Sequence, residues 1–207
     1  ESFKDVKIYQ NTFKDYSSQK NLANSKASYD FILSIDADEA LSNELKQSIT
    51  KLKNKHFNDN TLFSFNRKTN YCDTWVNHCG WYPDKKIRIF NRNFASWQGD
   101  IHETLSYNNT PNIIHLKGDL LHYSYYTVQE HINQINKFTT LTSREAYNKG
   151  KKSSFMKMYL AFHWKFLRDF IFHLGFMDKK GYQICKLSAF ATMIKYIKLQ
   201  EHNKDKK

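Results

Sequence analysis

The chain predicts an α/β domain passing into a helical C-terminal extension, and three observations carry that reading. Phe31-Ile32-Leu33-Ser34-Ile35 is a short apolar run ending on acidic residues, and Leu41, Leu45, Ile49 and Leu52 then recur at helical spacing, so strand, loop and helix follow one another. Further strand-like segments alternate through the first 126 residues. From Thr127 onward every periodic segment is helical. The division expected is therefore 1–126 for the α/β domain and 127–207 for a helical, basic, aromatic-rich region.

Each element has its own signal. Gln19–Ala27 reads as a short helix. The run 31–35 has the near-continuous apolarity of a strand buried on both faces and opens onto Asp36. A helix from about residue 42 to 54 covers the sheet, with Ser42 and Asn43 near its start. Thr61–Arg67 and Lys86–Phe90 alternate as strands, and Ile113–Leu116 with Leu120–Tyr125 reads as a hairpin turning at Lys117-Gly118-Asp119. Thr127-Val128-Gln129-Glu130 has the form of a capping box, and the helix it opens runs to about Gly150, a natural terminator. Phe155–Phe176 is aromatic-dense but carries Lys157, Lys165, Arg168 and Asp169, charges that a membrane-spanning helix would bear at high cost. Gly181–Leu199 returns to a helical pattern.

With 207 residues, 40% hydrophobic and 16% aromatic, the chain can bury a full core, and with only 6 Gly and 2 Pro it offers no flexible linker. Three cysteines (Cys72, Cys79, Cys185) are an odd number that suits a reducing compartment, and no signal segment directs secretion, so the expected location is cytoplasmic. Cys72, His78 and Cys79 fit no common zinc spacing and read as packed thiols. Of the formal charge of +12, +10 falls in residues 149–207, where 14 Lys/Arg stand against 4 Asp/Glu. That region has no nucleic-acid reading motif, so no nucleic-acid partner is expected. Phe155, Met158, Tyr159, Phe162, Phe166, Ile171 and Phe172 interleave with Lys157, Lys165 and Arg168. This fits an amphipathic helix at an anionic membrane surface over residues 151–178, or else aromatics packed on the domain or a second subunit.

Asp36-Ala37-Asp38-Glu39 puts three carboxylates in four residues at a strand's C-terminal end, where open α/β sheets place ligand crevices. Such clustering suits a hard divalent cation, Mg2+ or Mn2+, held with oxygen ligands. The alternative is an acidic helix N-terminus, with Asp38 and Glu39 favoured by the helix dipole.

Tyr29-Asp30-Phe31-Ile32-Leu33-Ser34-Ile35-Asp36-Ala37-Asp38-Glu39, Tyr82-Pro83-Asp84-Lys85-Lys86-Ile87-Arg88-Ile89-Phe90-Asn91-Arg92, Trp97-Gln98-Gly99-Asp100-Ile101-His102-Glu103 and Leu121-His122-Tyr123-Ser124 stand in this order along the chain. They resemble successive motifs of family 2 glycosyltransferases, in particular the lipopolysaccharide core-biosynthesis branch, and the resemblance spans nearly the whole chain. It implies a GT-A-like (Rossmann-like) mixed sheet flanked by helices. It also implies a metal-dependent inverting transfer of a hexose or similar sugar from a nucleotide-sugar donor to a lipopolysaccharide-core, other glycan or lipid-linked acceptor, at the cytoplasmic face of the inner membrane. Asp38 would bind the metal, Asp36 would approach the donor ribose or sugar, and His122 would complete the metal shell; the alternative for His122 is a histidine bonded within a hairpin. Glu103 matches the catalytic base, with Asp100 in reserve, and His102 would orient Glu103 or touch a diphosphate, or serve only as a structural polar residue. Gly80, Trp81 and Tyr82 match a loop that approaches the sugars, although such aromatics also serve as core. Lys20 and Arg88 would lie near the nucleotide, Arg88 pairing with diphosphate or with Asp84.

The resemblance also implies a strand–helix unit upstream of Glu1, making Val6-Lys7-Ile8-Tyr9 the second strand of the fold. A chain lacking that unit would have a second possible role, as a non-catalytic GT-A-like module that binds membrane or glycan through its basic tail.

Overall fold

The computed structural model describes residues 6–99 and 103–204. Its secondary structure is that of an α/β protein with a helical C-terminal region, as the sequence predicts. The first helix, α1 (Tyr16–Ser25), starts earlier than its apolar pattern suggests because the Asp15 side chain accepts from the Ser18 N–H at 2.7 Å and caps it. Then come β1 (Phe31–Leu33), β2 (Glu39–Leu41), α2 (Asn43–Thr50), β3 (Thr61–Tyr71), β4 (Thr74–Trp75), β5 (Asp84–Asn91), β6 (Ala95–Gln98), β7 (Thr104–Tyr107) and β8 (Asn112–Tyr125). The helices α3 (Val128–Asn148), α4 (Phe155–Leu167) and α5 (Gly181–Lys204) follow, with a π-helical turn (Arg168–Phe172) and a 3-10 turn (Gly175–Met177) between the last two. A six-stranded sheet has the order β1-β5-β3-β8-β2, with β4 beside β3, and β6 and β7 form a separate pair.

The residues group into two compact units, one of Glu1–Ala37, Asn43–Phe65 and Lys86–Gly118, the other of Asp38–Ser42, Asn66–Lys85 and Asp119–Lys207. In the first, Leu62, Phe90, Ala95 and Trp97 form a buried core closed by Ile32, Ile87, Phe94 and Leu105. In the second, Tyr71, Val76, Cys79, Ile184 and Cys185 do the same, so two of the three cysteines are packed core thiols and all three are free. The capping box of α3 forms as predicted, with the Thr127 hydroxyl accepting from the Glu130 N–H and the Glu130 carboxylate accepting from the Thr127 N–H.

Three expectations need correction. The 31–35 run is not buried on both faces: β1 is three residues long at one end of the sheet order, and Leu33 and Ile35 are 37% and 43% exposed. Val6–Tyr9 forms no strand, since its peptide groups pair with no strand among the described residues. Residues 113–125 are not a hairpin but the single strand β8, bent at Gly118. There the backbone takes φ +98°, and a Cβ would lie 2.3 Å from the backbone nitrogen of Leu45. The Lys-Gly-Asp signal marks this close approach to α2 rather than a reversal. Beyond the bend, Asp119 and Ser42 exchange hydrogen bonds, the Ser42 N–H donating to the Asp119 carbonyl at 3.0 Å, and this starts the antiparallel pairing of β8 with β2.

Gly118→Ala should therefore cost stability twice, through left-handed backbone strain of about 1–3 kcal/mol and through the clash with Leu45. A fall in melting temperature of at least roughly 4 °C is expected in calorimetry, and an unchanged value would show that the bend tolerates a side chain.

Candidate active site

Asp36 belongs to the first unit and Asp38 to the second, so the two halves of the acidic turn are built by different strands. In the first unit, β1 pairs antiparallel with β5, and the Ser34 N–H extends the ladder by donating to the Arg88 carbonyl at 2.8 Å. Two residues further on, the Asp36 carboxylate meets the Arg88 guanidinium at 3.1 Å. Lys20 arrives from α1, which is stitched to β6 by reciprocal bonds: the Asn21 amide donates to the Trp97 carbonyl at 2.8 Å and accepts from the Trp97 N–H at 2.9 Å. That suture places the Lys20 ammonium 3.0 Å from Asp36, 3.8 Å from Glu103 and 4.9 Å from the centre of the Trp97 ring. The Arg88 guanidinium lies 5.7 Å from the same ring.

Four residues singled out in the sequence, Lys20, Asp36, Arg88 and Glu103, thus form one ion-pair cluster, whose two cations lie against one indole. Two cations and two carboxylates balance there, and the Arg88 side chain is only 6% exposed while that of Asp36 is 36% exposed. The accessible carboxylate and the sunken guanidinium make a polar surface able to receive hydroxyls and anionic oxygens together. Asp100 and His102 lie outside the described residues.

In the second unit, the register Glu39↔His122 aligns β2 with β8, and the Tyr123 N–H donates to the Asp38 carbonyl at 2.9 Å. The pairing brings the His122 Nε2 to 3.2 Å from the Asp38 carboxylate. The helix-dipole alternative for Asp38 and Glu39 does not hold, because β2 intervenes before α2 and Glu39 is buried within it. The hairpin alternative for His122 fails with the hairpin itself. Burial is the main force holding the His122 imidazole below its ordinary pKa, and the Arg67 charge adds to it; Asp38 and Glu39 pull the other way.

A neutral imidazole and one carboxylate match the donors of a Mg2+ or Mn2+ ion that takes its remaining ligands from water and a diphosphate. Among the described residues no group of three or more His, Cys, Asp or Glu side chains could hold an ion. The buried His122 Nδ1 also has no hydrogen-bond partner, whereas a metal-bound histidine ordinarily donates there to an acceptor. The pair suits an ion held jointly with a substrate rather than one held by the protein alone.

The Gly80 loop is also in the second unit. Gly80 has φ +70°, and a Cβ on it would sit 2.5 Å from the His173 ring. Trp81 is half-buried and packs edge-on against Tyr71 and His131, with ring centres 5.9 and 5.7 Å away. Tyr82 donates its hydroxyl proton to Asp119 at 2.9 Å and accepts from Asn66. Asp84, a possible partner of Arg88, is bound by Arg67 at 2.8 Å. Three participants were not singled out from sequence: Trp97 as the shared platform, Arg67 beside His122, and Asp119 as anchor of Tyr82. Trp97 stands within the Trp97–Glu103 motif and could have been picked up there; Arg67 and Asp119 carried no local signal.

No protein-family model matches the chain. It is similar to an uncharacterized glycosyltransferase of Rickettsia typhi, 28% identical over 206 residues, which covers 95% of this chain and 70% of the relative. A protein of the same description from Rickettsia prowazekii is 28% identical over 196 residues, covering 90% of this chain and 67% of the relative. One from Rickettsia felis is 26% identical over 206 residues, covering 95% and 73%.

In the metal-free protein, the His122 ring should titrate below pH 6.5. Asp38→Asn removes an attraction for the proton and should lower the midpoint further, whereas Arg67→Met removes a repulsion and should raise it. Ring-carbon NMR shifts followed against pH measure both, and shifts of one sign in the two variants would contradict this electrostatic account. The chain's likeness to proteins named glycosyltransferases thus extends along nearly its whole length, through both halves of the acidic turn.

Proposed function

We propose that this protein is a metal-dependent inverting glycosyltransferase that moves a sugar from a nucleotide-sugar donor to a lipopolysaccharide-core, other glycan or lipid-linked acceptor at the cytoplasmic face of a membrane. Glycosyl transfer in general is supported by the relatives. The finer reading draws its support from one observation: Lys20, Asp36, Arg88 and Glu103, far apart in sequence, join in one ion-pair cluster. Asp36, Arg88 and Glu103 belong to motifs that resemble those of family 2 glycosyltransferases, and Lys20 stands where that resemblance implies a basic residue near the nucleotide.

Each side chain has a role that follows from its chemistry. Lys20 and Arg88 attract the donor's diphosphate, and Asp36 is left to accept hydrogen bonds from ribose or sugar hydroxyls. Glu103 takes the proton of the acceptor hydroxyl as its oxygen bonds to the anomeric carbon, a contribution of roughly 10²–10⁴-fold. The bond from that carbon to the diphosphate oxygen breaks as the new one forms, so attack from the opposite face inverts the configuration. Asp38 and His122 would hold the divalent ion, which offsets negative charge on the departing diphosphate. The loop of Gly80, Trp81 and Tyr82 would approach the sugars, with the missing side chain of Gly80 making room for the His173 ring that backs it.

The test uses nucleotide sugars of different bases, assayed for transfer and hydrolysis with Mn2+ or Mg2+. Glu103→Gln should lower turnover at least about 10²-fold without weakening donor binding, because the base acts on the acceptor and its charge competes with the donor for Lys20. Asp38→Ala should lower both turnover and metal-dependent binding, and a chelator should reproduce its effect on the unaltered protein. Full turnover in both variants would overturn the assignment, and insensitivity to chelator would remove the metal from it.

A further inference from the structure

The helix α4 is rich in apolar and aromatic residues, with Lys157, His163 and Lys165 as its polar members. Only one side is covered. Phe162 packs against Phe190 of α5 at 5.2 Å between ring centres, and Phe166 against Tyr182 at 5.8 Å. On the other side Phe155, Met156, Leu160 and Trp164 are 71%, 62%, 57% and 59% exposed, and no residue of α4 is buried. The exposed strip continues beyond the helix through Phe172, Phe176 and Met177.

Of the charges within this stretch, Lys157 is exposed and reaches the Lys152 carbonyl at 3.3 Å, while the others meet one carboxylate. Asp169, in the π-helical turn, is fully buried and meets Lys165 at 2.6 Å, Arg168 at 3.0 Å and His173 at 3.4 Å. One sunken carboxylate therefore gathers the cations that would otherwise break the outward apolar face. Other lysines bracket the strip and face solvent: Lys151 and Lys152 before it, Lys179 after it. An exposed apolar strip of this length marks an interaction surface. Its occupant follows from charge, since residues 149–207 hold 14 Lys/Arg against 4 Asp/Glu, so a second copy would set like charge against like. No helix among the described residues is long and apolar enough to cross a membrane, which leaves an arrangement lying in its surface.

The same segment grips the Gly80 loop. The Asp178 carboxylate accepts from the backbone N–H groups of Asn77 and His78 and meets the His78 ring at 3.0 Å. The Cys79 N–H donates to the His173 carbonyl at 3.0 Å, and the His173 ring fills the space that Gly80 leaves open. We propose that the outward face of α4 and of the two turns after it docks on an anionic lipid bilayer, with the Gly80 loop fastened to the docked segment. The part of this that concerns acceptor delivery rests on the proposed role of that loop.

Co-sedimentation with vesicles tests the docking independently of any transfer assay. The full chain should bind vesicles of mixed phosphatidylcholine and phosphatidylglycerol at least about tenfold more tightly than phosphatidylcholine alone, with the difference lost in high salt. Trp164→Glu and Leu160→Gln, both on the exposed side, should each weaken binding severalfold without lowering the melting temperature. Equal binding to the two vesicle types, or no effect of either substitution, would overturn the proposal. Self-association that Trp164→Glu abolishes would assign the face to a second copy instead. Because binding is read without a sugar donor, failure here leaves the transfer reading standing, and failure of transfer leaves the docking standing.

Discussion

The arrangement of ionisable groups depends on one constraint: the Asp36-Ala37-Asp38 turn leaves one strand and enters another, and each strand is held by a different antiparallel partner. β1 is fixed by β5, which carries Arg88, and β2 is fixed by β8, which carries His122. Two carboxylates separated by a single alanine are thereby given unlike surroundings. Asp36 faces two permanent cations, whereas Asp38 faces an imidazole that burial keeps neutral. The first carboxylate is thus paired with permanent positive charge and the second with a histidine.

The sequence made plain those elements whose signal is local. The capping box of α3 specified its own first turn, and the apolar spacing of α2 needed only a sheet to lie on. What it could not reveal were features decided by distant chain. A glycine between two strand-like runs reads as a hairpin turn, yet Gly118 is required because the backbone of Leu45 comes too close for any side chain. An apolar run reads as doubly buried, yet β1 has a single strand partner. The same limit applies at the site. Asp36, Asp38, Arg88, Glu103 and His122 could be picked out from ordered motifs and Lys20 from the resemblance beside them, but no pattern told that Lys20 is positioned by Asn21 holding the backbone of Trp97. Nor could Arg67, on another strand, be linked to the protonation of His122.

The helical region resolves an ambiguity that periodicity alone left open. The aromatics of 155–176 fitted either a packed helix or a surface-bound one, and the structure divides them between two faces. Phe162 and Phe166 supply the packing with α5, while Phe155, Leu160 and Trp164 remain outside. The polar interruptions that argued against a spanning helix have a local explanation in Asp169. Burying a carboxylate is costly unless it is paired, and three nearby cationic or basic groups pair with it. Lys165 and His173 stand four residues before and after it, the spacing that brings side chains together on one helix face.

Lys20 is the point at which the halves of the proposed chemistry compete. Its ammonium lies 3.0 Å from Asp36 and 3.8 Å from Glu103, so before any substrate arrives one cation serves both the donor-binding carboxylate and the proposed base. A diphosphate is a stronger ligand for Lys20 and Arg88 than a single carboxylate, because it presents more oxygens and more charge. On the proposed reading, donor binding therefore draws Lys20 away from Glu103 and removes a neighbouring positive charge from it. Glu103 is thus freed of its ion pair at the moment a sugar is in place to be attacked, which couples acceptor activation to the presence of the donor through a single side chain of α1.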